Sequence, residues 1–138
     1  MVHFVADIVA EPDAISALTE RAQEFLATSG VDACTAHNVA LVLDELLTNA
    51  ASYNTNEKIT ASVRLFVRLD RVEAKIVDRG AEFDPRRRGN IDVAVGISDR
   101  RIGGLGLLLV QTLTENLDYE RIGVRNCTTF HIRRTPAA

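Results

Sequence analysis

The first third of the chain has one short apolar stretch and two longer stretches in which apolar residues recur at helical spacing. Residues 3–10 predict a strand, and Pro12 is suited to the first turn of the helix that follows. That helix should end at Gly30, a residue type that commonly terminates helices. Asp32 is suited to cap a second helix, which we expect to run to about Tyr53.

The middle of the chain changes to a period of two. Apolar residues alternate with polar ones over residues 63–69 and again over residues 72–76, so the sequence predicts a hairpin that ends at Asp78. Regular patterning then stops until Gly103, in a segment rich in glycine and arginine that is too long for an ordinary connection. Loops of this length are usually functional, and we expect a lid over about residues 84–103.

The last third predicts one more helix and one more hairpin. The helix follows Gly103, and its apolar face comprises Leu107, Val110, Leu113 and Leu117. Two further strands are predicted at residues 117–122 and 127–133. The order β-α-α-β-β-lid-α-β-β predicts the α+β class, as a two-layer α/β sandwich in which three main helices cover one face of a mostly antiparallel mixed sheet.

Length and composition restrict the class of protein. A chain of 138 residues predicts one domain, residues 1–138. The formal net charge of -3 provides no strong basic field for DNA, and aromatic residues are only 5% of the chain, too few for a platform that stacks single strands. No apolar run reaches transmembrane length and the first residues lack a signal-peptide pattern, so we expect a cytoplasmic protein that does not span a membrane.

One dense basic cluster lies within the predicted lid. Its members are Arg86, Arg87, Arg88, Arg100 and Arg101. They are either solvated loop residues, which is the commoner case, or phosphate neighbours if a nucleotide site lies close by.

A carboxylate and an amide share one face of the second helix, because Glu45 and Asn49 are four residues apart. The carboxylate can act as a general base, and the amide oxygen can bind a hard cation such as Mg²⁺. An exposed polar stripe is the alternative interpretation of this pair.

Two further motifs are compatible with a nucleotide. Asp78 ends an apolar strand, where it can accept a hydrogen bond from the exocyclic amine of adenine, and Gly80 would let the backbone approach the base. A plain turn after a strand uses the same residue types. Residues 103–106 open the third helix, where free amides and the helix dipole favour a phosphate, unless these glycines form only a hinge.

The order of these motifs is more specific than any one of them. An acid–Asn helix, an Asp-x-Gly after a strand, a long lid and a Gly-x-Gly at a helix start resemble the GHKL superfamily of ATP-binding domains along nearly the whole chain. Glu45 and Asn49 match the N-box of that superfamily. The residues that match its glycine boxes are Asp78, Gly80, Gly104 and Gly106.

Within the superfamily, the segments ELLTNAASY, VDRGAEFDP and RIGGLGLLLV resemble the bacterial anti-sigma factor serine/threonine kinases. The resemblance implies the histidine-kinase-like ATPase fold and the cofactors ATP and Mg²⁺. It implies that Glu45 accepts or orients the substrate hydroxyl proton, that Asn49 binds Mg²⁺ and that Asp78 binds adenine. The other cofactor-binding residues that it implies are Gly80, Gly104, Leu105, Gly106 and Thr128.

Members of that branch bind a sigma factor and phosphorylate a Ser or Thr of a STAS-type anti-anti-sigma protein. The resemblance therefore implies an ATP-dependent protein serine/threonine kinase that acts as an anti-sigma factor, forms a homodimer and shares a pathway with a PP2C-type phosphatase. Two alternatives stay open. One is a non-catalytic ATP-binding module that sequesters a regulator. The other is the detached catalytic domain of a histidine kinase, which is disfavoured because none of His3, His37 and His131 lies in a separate helical hairpin.

Overall fold

The computed structural model describes residues 2–52, 58–87 and 104–135. These ranges contain β1 Val2–Val9, α1 Pro12–Thr28, α2 Ala33–Ser52, β2 Thr60–Val67, β3 Arg71–Asp78, α3 Gly104–Leu113, β4 Glu115–Ile122 and β5 Arg125–Arg133. The order of strands and helices is the predicted one. Tyr53 and most of the predicted lid, residues 88–103, lie outside the described residues.

The five strands form one sheet in the order β1-β2-β3-β5-β4, and every pairing between these described strands is antiparallel. Alternate residues of the central strands are buried, as for Val63 and Leu65 of β2 and Ala74 and Ile76 of β3. They join one apolar core with side chains of the first two helices, among them Leu18, Ala22, Leu26, Val39, Val42, Leu43 and Leu47. The helices therefore cover one face of the sheet, and the predicted α+β class is confirmed.

The helix ends follow the signals in the sequence. The backbone N–H of Thr35 donates to Asp32 Oδ2 at 2.9 Å, which is the predicted cap of α2. Pro12 is the first residue of α1, and Gly30 follows that helix with a φ of 84°, a left-handed conformation that favours glycine. No helix within the described ranges is both long and apolar enough to cross a membrane.

Two apolar residues lie outside the elements predicted for them. Leu69 was expected in the alternating strand, but it is 98% exposed in the tight turn that the Arg68 N–H closes on the Arg71 carbonyl. Leu117 was expected on the third helix as well as at the start of a strand, and it belongs to β4. Helix α3 ends at Leu113, and Asn116 has a φ of 51° at an irregularity in the β4–β5 pairing. The spacing of four residues from Leu113 to Leu117 was misleading, because it fits the apolar face of a helix and also the inward face of a strand.

Candidate functional site

The start of α3 lies directly against α2, at the side chain of Glu45. A Cβ atom added to Gly106 would lie 2.0 Å from Glu45 Oε2 and 2.8 Å from Glu45 Cδ. Only a residue without a side chain allows the carboxylate to occupy this position. Two motifs separated by sixty residues of sequence, the acid–Asn helix and the Gly-x-Gly turn, are therefore in contact. Gly104, Leu105 and Gly106 form the first turn of α3.

The environment of Glu45 favours its protonated form. Burial raises the pKa of the carboxyl group above its ordinary value, and the neighbouring charge of Asp44 raises it further. Glu45 consequently holds a proton more strongly than an exposed glutamate does.

Asn49 lies one helical turn beyond Glu45 on α2 and is only 2% exposed. Its Nδ2 atom is buried and has no hydrogen-bond partner among the described residues. Buried amides are normally hydrogen-bonded, and leaving one unpaired costs about 1–3 kcal/mol. An unpaired amide of this kind is suited to a polar ligand.

Asp78 is the last residue of β3, the central strand of the sheet, and is buried. Its Oδ1 accepts two hydrogen bonds of 2.9 Å, one from the Gly80 N–H and one from Asn126 Nδ2. Both bonds reach the same oxygen, so Oδ2 keeps its capacity to accept. Gly80 is thus connected to Asp78 by a local turn, as the pairing of these two residues in one motif predicts.

Asn126 is a buried residue that the sequence analysis missed. Its Nδ2 also donates to the Ala81 carbonyl at 2.8 Å. Its Oδ1 accepts from the Tyr119 hydroxyl, and from Arg121 Nη1 at 3.1 Å. Asn126 therefore connects Asp78, the turn after β3 and strand β4.

The signal for Asn126 was present but weak. It lies two residues before Thr128 on β5, so both side chains point to the helix-covered face. The decisive fact is that Asn126 is the register partner of Asp78, and this depends on the pairing of β3 with β5.

Asp78 and Thr128 line the same small cavity, beneath helix α2. The cavity has a volume of about 20 Å³ and is lined by Leu46, Ala50, Ile76, Asp78, Ala81, Phe83, Pro85, Asn126 and Thr128. The α2 residues in this lining are the immediate neighbours in sequence of Glu45 and Asn49. The cavity therefore brings Asp78 and Thr128 together, and the contact with Gly106 brings Glu45 to the start of α3; helix α2 contributes to both places.

The first residues of the predicted lid are held by contacts with the fold. Arg86 Nη2 lies 2.9 Å from Asp84 Oδ2, and Arg86 Nη1 lies 2.9 Å from Asp118 Oδ1 on β4. The hydrogen bond from Arg86 outweighs partial burial and lowers the pKa of Asp84. Gln111 of α3 donates to the Pro85 carbonyl at 2.9 Å. Arg86 is thus an ion-paired residue at the base of the segment.

The remaining arginines of the predicted basic cluster can be described only in part. Arg87 Nε lies 3.9 Å from Asp84 Oδ2. Arg88, Arg100 and Arg101 lie outside the described residues.

The family is given by a match over most of the chain. Residues 8–132 match the model of the histidine kinase-like ATPase domain, and the protein belongs to this family. The resemblance inferred from the order of the motifs is thereby confirmed.

Curated relatives are serine-protein kinases. The protein RsbW of Listeria monocytogenes, a serine-protein kinase, is 29% identical over 86 residues, which are 58% of this chain and 55% of that protein. The serine-protein kinase RsbW of Halalkalibacterium halodurans is 29% identical over 102 residues, which are 70% of this chain and 63% of that protein. The matches therefore span less than two thirds of the length of these relatives.

Solved structures share the fold. A crystal structure of the RsbU and RsbW domains of a Mycobacterium tuberculosis protein has a TM-score of 0.69 at 16% identity and covers 99% of this chain and 34% of that chain. The mycobacterial sensor histidine kinase MprB has a TM-score of 0.50 at 15% identity and covers 97% of this chain and 100% of that chain. At these identities the likeness concerns the fold alone.

Proposed function

We propose that this protein is an Mg-ATP-dependent serine/threonine kinase that acts as an anti-sigma factor. Its substrate is a Ser or Thr of a STAS-type anti-anti-sigma protein, and residues 1–138 form one ATP-binding domain. The observation that supports this most is the contact between Glu45 and Gly106, because it brings a carboxylate beside a glycine-rich helix start. The similarity to serine-protein kinases gives the chemical class.

The residues of the site fit ATP with Mg²⁺. Asn49 Nδ2 is a buried donor without a partner among the described residues and is suited to a phosphate oxygen. Asp78 has a carboxylate oxygen beyond its two hydrogen bonds, and the Glu45 carboxylate lies against the first turn of α3. When bound, Mg-ATP supplies the phosphoryl group that is transferred. Asn49 would bind the metal ion through its amide oxygen, and the amides of Gly104, Leu105 and Gly106 would hold the phosphates.

Adenine recognition is assigned to the buried end of β3. Asp78 would accept a hydrogen bond from the exocyclic amine, with Gly80 and Thr128 beside the ring. A cavity of about 20 Å³ holds roughly one water molecule, so the lining must widen for a purine. Phe83, half-buried in the segment after β3, is the aromatic residue in that lining.

Glu45 is the residue that distinguishes a kinase from a passive nucleotide-binding module. Phosphoryl transfer needs mainly positioning and charge neutralisation, together with a group that accepts or orients the hydroxyl proton of the substrate. The raised pKa of Glu45 suits that task, because a general base works best when its pKa lies near the working pH.

The partners are proposed from the family resemblance. We assign a sigma factor as the bound regulator, a homodimer as the working form and a PP2C-type phosphatase as the enzyme that reverses the phosphorylation. These assignments rest on similarity over part of the relatives' length.

The test uses the purified full chain with labelled Mg-ATP and a STAS-domain protein. Wild type should transfer phosphate to Ser or Thr. Glu45→Ala should keep ATP binding and lose transfer by roughly 100-fold or more, because the proton acceptor is gone. Glu24→Ala, which removes an exposed glutamate of α1, is the matched control and should transfer normally.

Each result has a definite meaning. Transfer by Glu45→Ala at the wild-type rate would refute the role of Glu45. Tight ATP binding by the wild-type protein without transfer to any STAS protein would instead identify a non-catalytic binding module.

A further inference from the structure

Most cationic side chains in the described ranges have a partner. Each of these side chains forms an ion pair with an acidic residue, donates a hydrogen bond to a carbonyl or contacts an aromatic ring. They are Arg21, Lys58, Arg68, Arg71, Arg86, Arg87, Arg121, Arg133 and Arg134. The side chains of Arg64, Lys75, Arg79 and Arg125 have no such partner among residues 2–52, 58–87 and 104–135.

These four cations lie together on the face of the sheet that the helices leave open. Arg64 is exposed between the buried Val63 and Leu65, and it is the direct register partner of Lys75 on β3. Like charges directly opposite each other destabilise a sheet. The pairing of Arg64 with Lys75 therefore opposes folding stability.

The four cations also line one cavity. It has a volume of about 450 Å³, and its lining comprises Asp7, Thr60, Ala61, Ser62, Arg64, Lys75, Val77, Arg79 and Arg125. Asp7 is the acidic residue in that lining. Strand β3 directs Ile76 and Asp78 to the small cavity on the helix side, and no residue lines both cavities.

Aliphatic side chains are interleaved with the cations. Val5 is 47% exposed and is the register partner of Arg64, and Ile122 is 53% exposed and is the register partner of Arg125. No aromatic ring is among the residues that line the cavity, so nucleobases would find no stacking partner there. Cations beside aliphatic groups are complementary to a polypeptide that carries carboxylates and aliphatic side chains.

We propose that this basic sheet face, formed by Arg64, Lys75, Arg79 and Arg125, is a docking surface for an acidic segment of a partner protein. Carboxylates of the segment pair with the four unpartnered cations, and its aliphatic side chains contact Val5 and Ile122. The surface is distinct from the nucleotide site, and its role does not depend on phosphoryl transfer.

The test measures binding of a short labelled peptide of Glu-Val-Glu-Gly repeats to the full chain at low and moderate salt. We expect binding that weakens as salt rises, and about a tenfold loss of affinity for the double variant Arg64→Gln/Lys75→Gln. Arg21→Gln/Arg133→Gln changes the net charge equally, away from the cavity, and should bind like the wild type. Removing the like-charge pair should leave the melting temperature unchanged or raise it. A lower melting temperature would therefore show that the variant is misfolded.

Several outcomes overturn the proposal. Equal affinities for the two double variants would mean that net charge alone attracts the peptide. Equal binding of the peptide with Gln in place of every Glu would exclude carboxylate recognition. Tighter binding of a single-stranded oligonucleotide of the same charge, lost in Arg64→Gln/Lys75→Gln, would identify the face as a nucleic-acid surface. ATP binding by this variant should equal that of the wild type, which keeps the result independent of the kinase assignment.

Discussion

Replacing Gly106 by alanine should move the Glu45 carboxylate without destabilising the fold. The new Cβ would lie 2.0 Å from Glu45 Oε2, and ordinary contact begins at 3.4 Å, so the carboxylate must withdraw by about 1.4 Å. The atom displaced is the end of a flexible side chain, so the fold can adapt. Alanine also favours a helix over glycine, by up to about 1 kcal/mol.

The expected effect on phosphoryl transfer is large. A misplacement of about 1 Å in a reacting group can slow a reaction roughly 100-fold, which is about 2.7 kcal/mol in the activation free energy. Gly106→Ala should therefore slow transfer to a STAS protein by this factor while its melting temperature is unchanged or higher. ATP affinity should change little, because alanine keeps the backbone amide. Leu108→Ala, at an exposed position of α3, is the control for general damage to the helix.

A double-mutant cycle shows whether the effect passes through Glu45. If Gly106→Ala acts only by displacing that carboxylate, it should have no further effect in a protein that already carries Glu45→Ala. The reasoning is refuted if Gly106→Ala transfers phosphate within twofold of wild type. It is also refuted if the alanine slows the Glu45→Ala protein by the same factor as the wild type.

Three further predictions concern the polar side chains Asn126, Glu45 and Asp32. Asn126→Ala should weaken ATP binding by about tenfold in titration calorimetry, because Asp78 loses one of its two hydrogen-bond donors, and Asn126→Asp should not restore it. Glu45→Gln should be as stable as wild type below about pH 4.5 and more stable at neutral pH. The reason is that the raised pKa in the folded protein makes the ionised carboxylate of wild type destabilising. Equal denaturation midpoints at all pH values would contradict this. Asp32→Ala should lower the free energy of unfolding by about 1 kcal/mol at pH 7, because the cap of α2 is lost. Hydrogen bonds from Thr35 outweigh burial and lower the pKa of Asp32, so the loss should be much smaller below that lowered pKa. Urea unfolding at both pH values measures the difference.

Local patterns in the sequence predicted the elements well, because each depends on neighbouring residues. The cap at Asp32 and the helix end before Gly30 are interactions within a few positions of the chain. The misassignment of Leu117 to a helix has the same origin, because its spacing from Leu113 fits two periods. The choice between them is made by pairing with β5, which is not local.

The residues of the candidate site likewise fall into those that local motifs reveal and those that depend on distant contacts. Glu45, Asn49 and Asp78 could be selected because each belongs to a motif whose residue types suit a nucleotide. Asn126 could not, because an asparagine in a strand acquires its role only when β5 pairs with β3 and brings it opposite Asp78. The contact between Glu45 and Gly106 likewise depends on how α3 packs against α2.

Net charge illustrates the limit of composition most clearly. A formal charge of -3 suggests no affinity for anions, yet four cations without partners in the described ranges line one cavity. The segregation results from the strand period. Along β3 and the residue that follows it, Ile76 and Asp78 point to the helix side, while Lys75, Val77 and Arg79 point to the open side. Residues of opposite parity thus contribute to the proposed nucleotide pocket and to the basic surface, so substitutions at even positions test the first and substitutions at odd positions test the second.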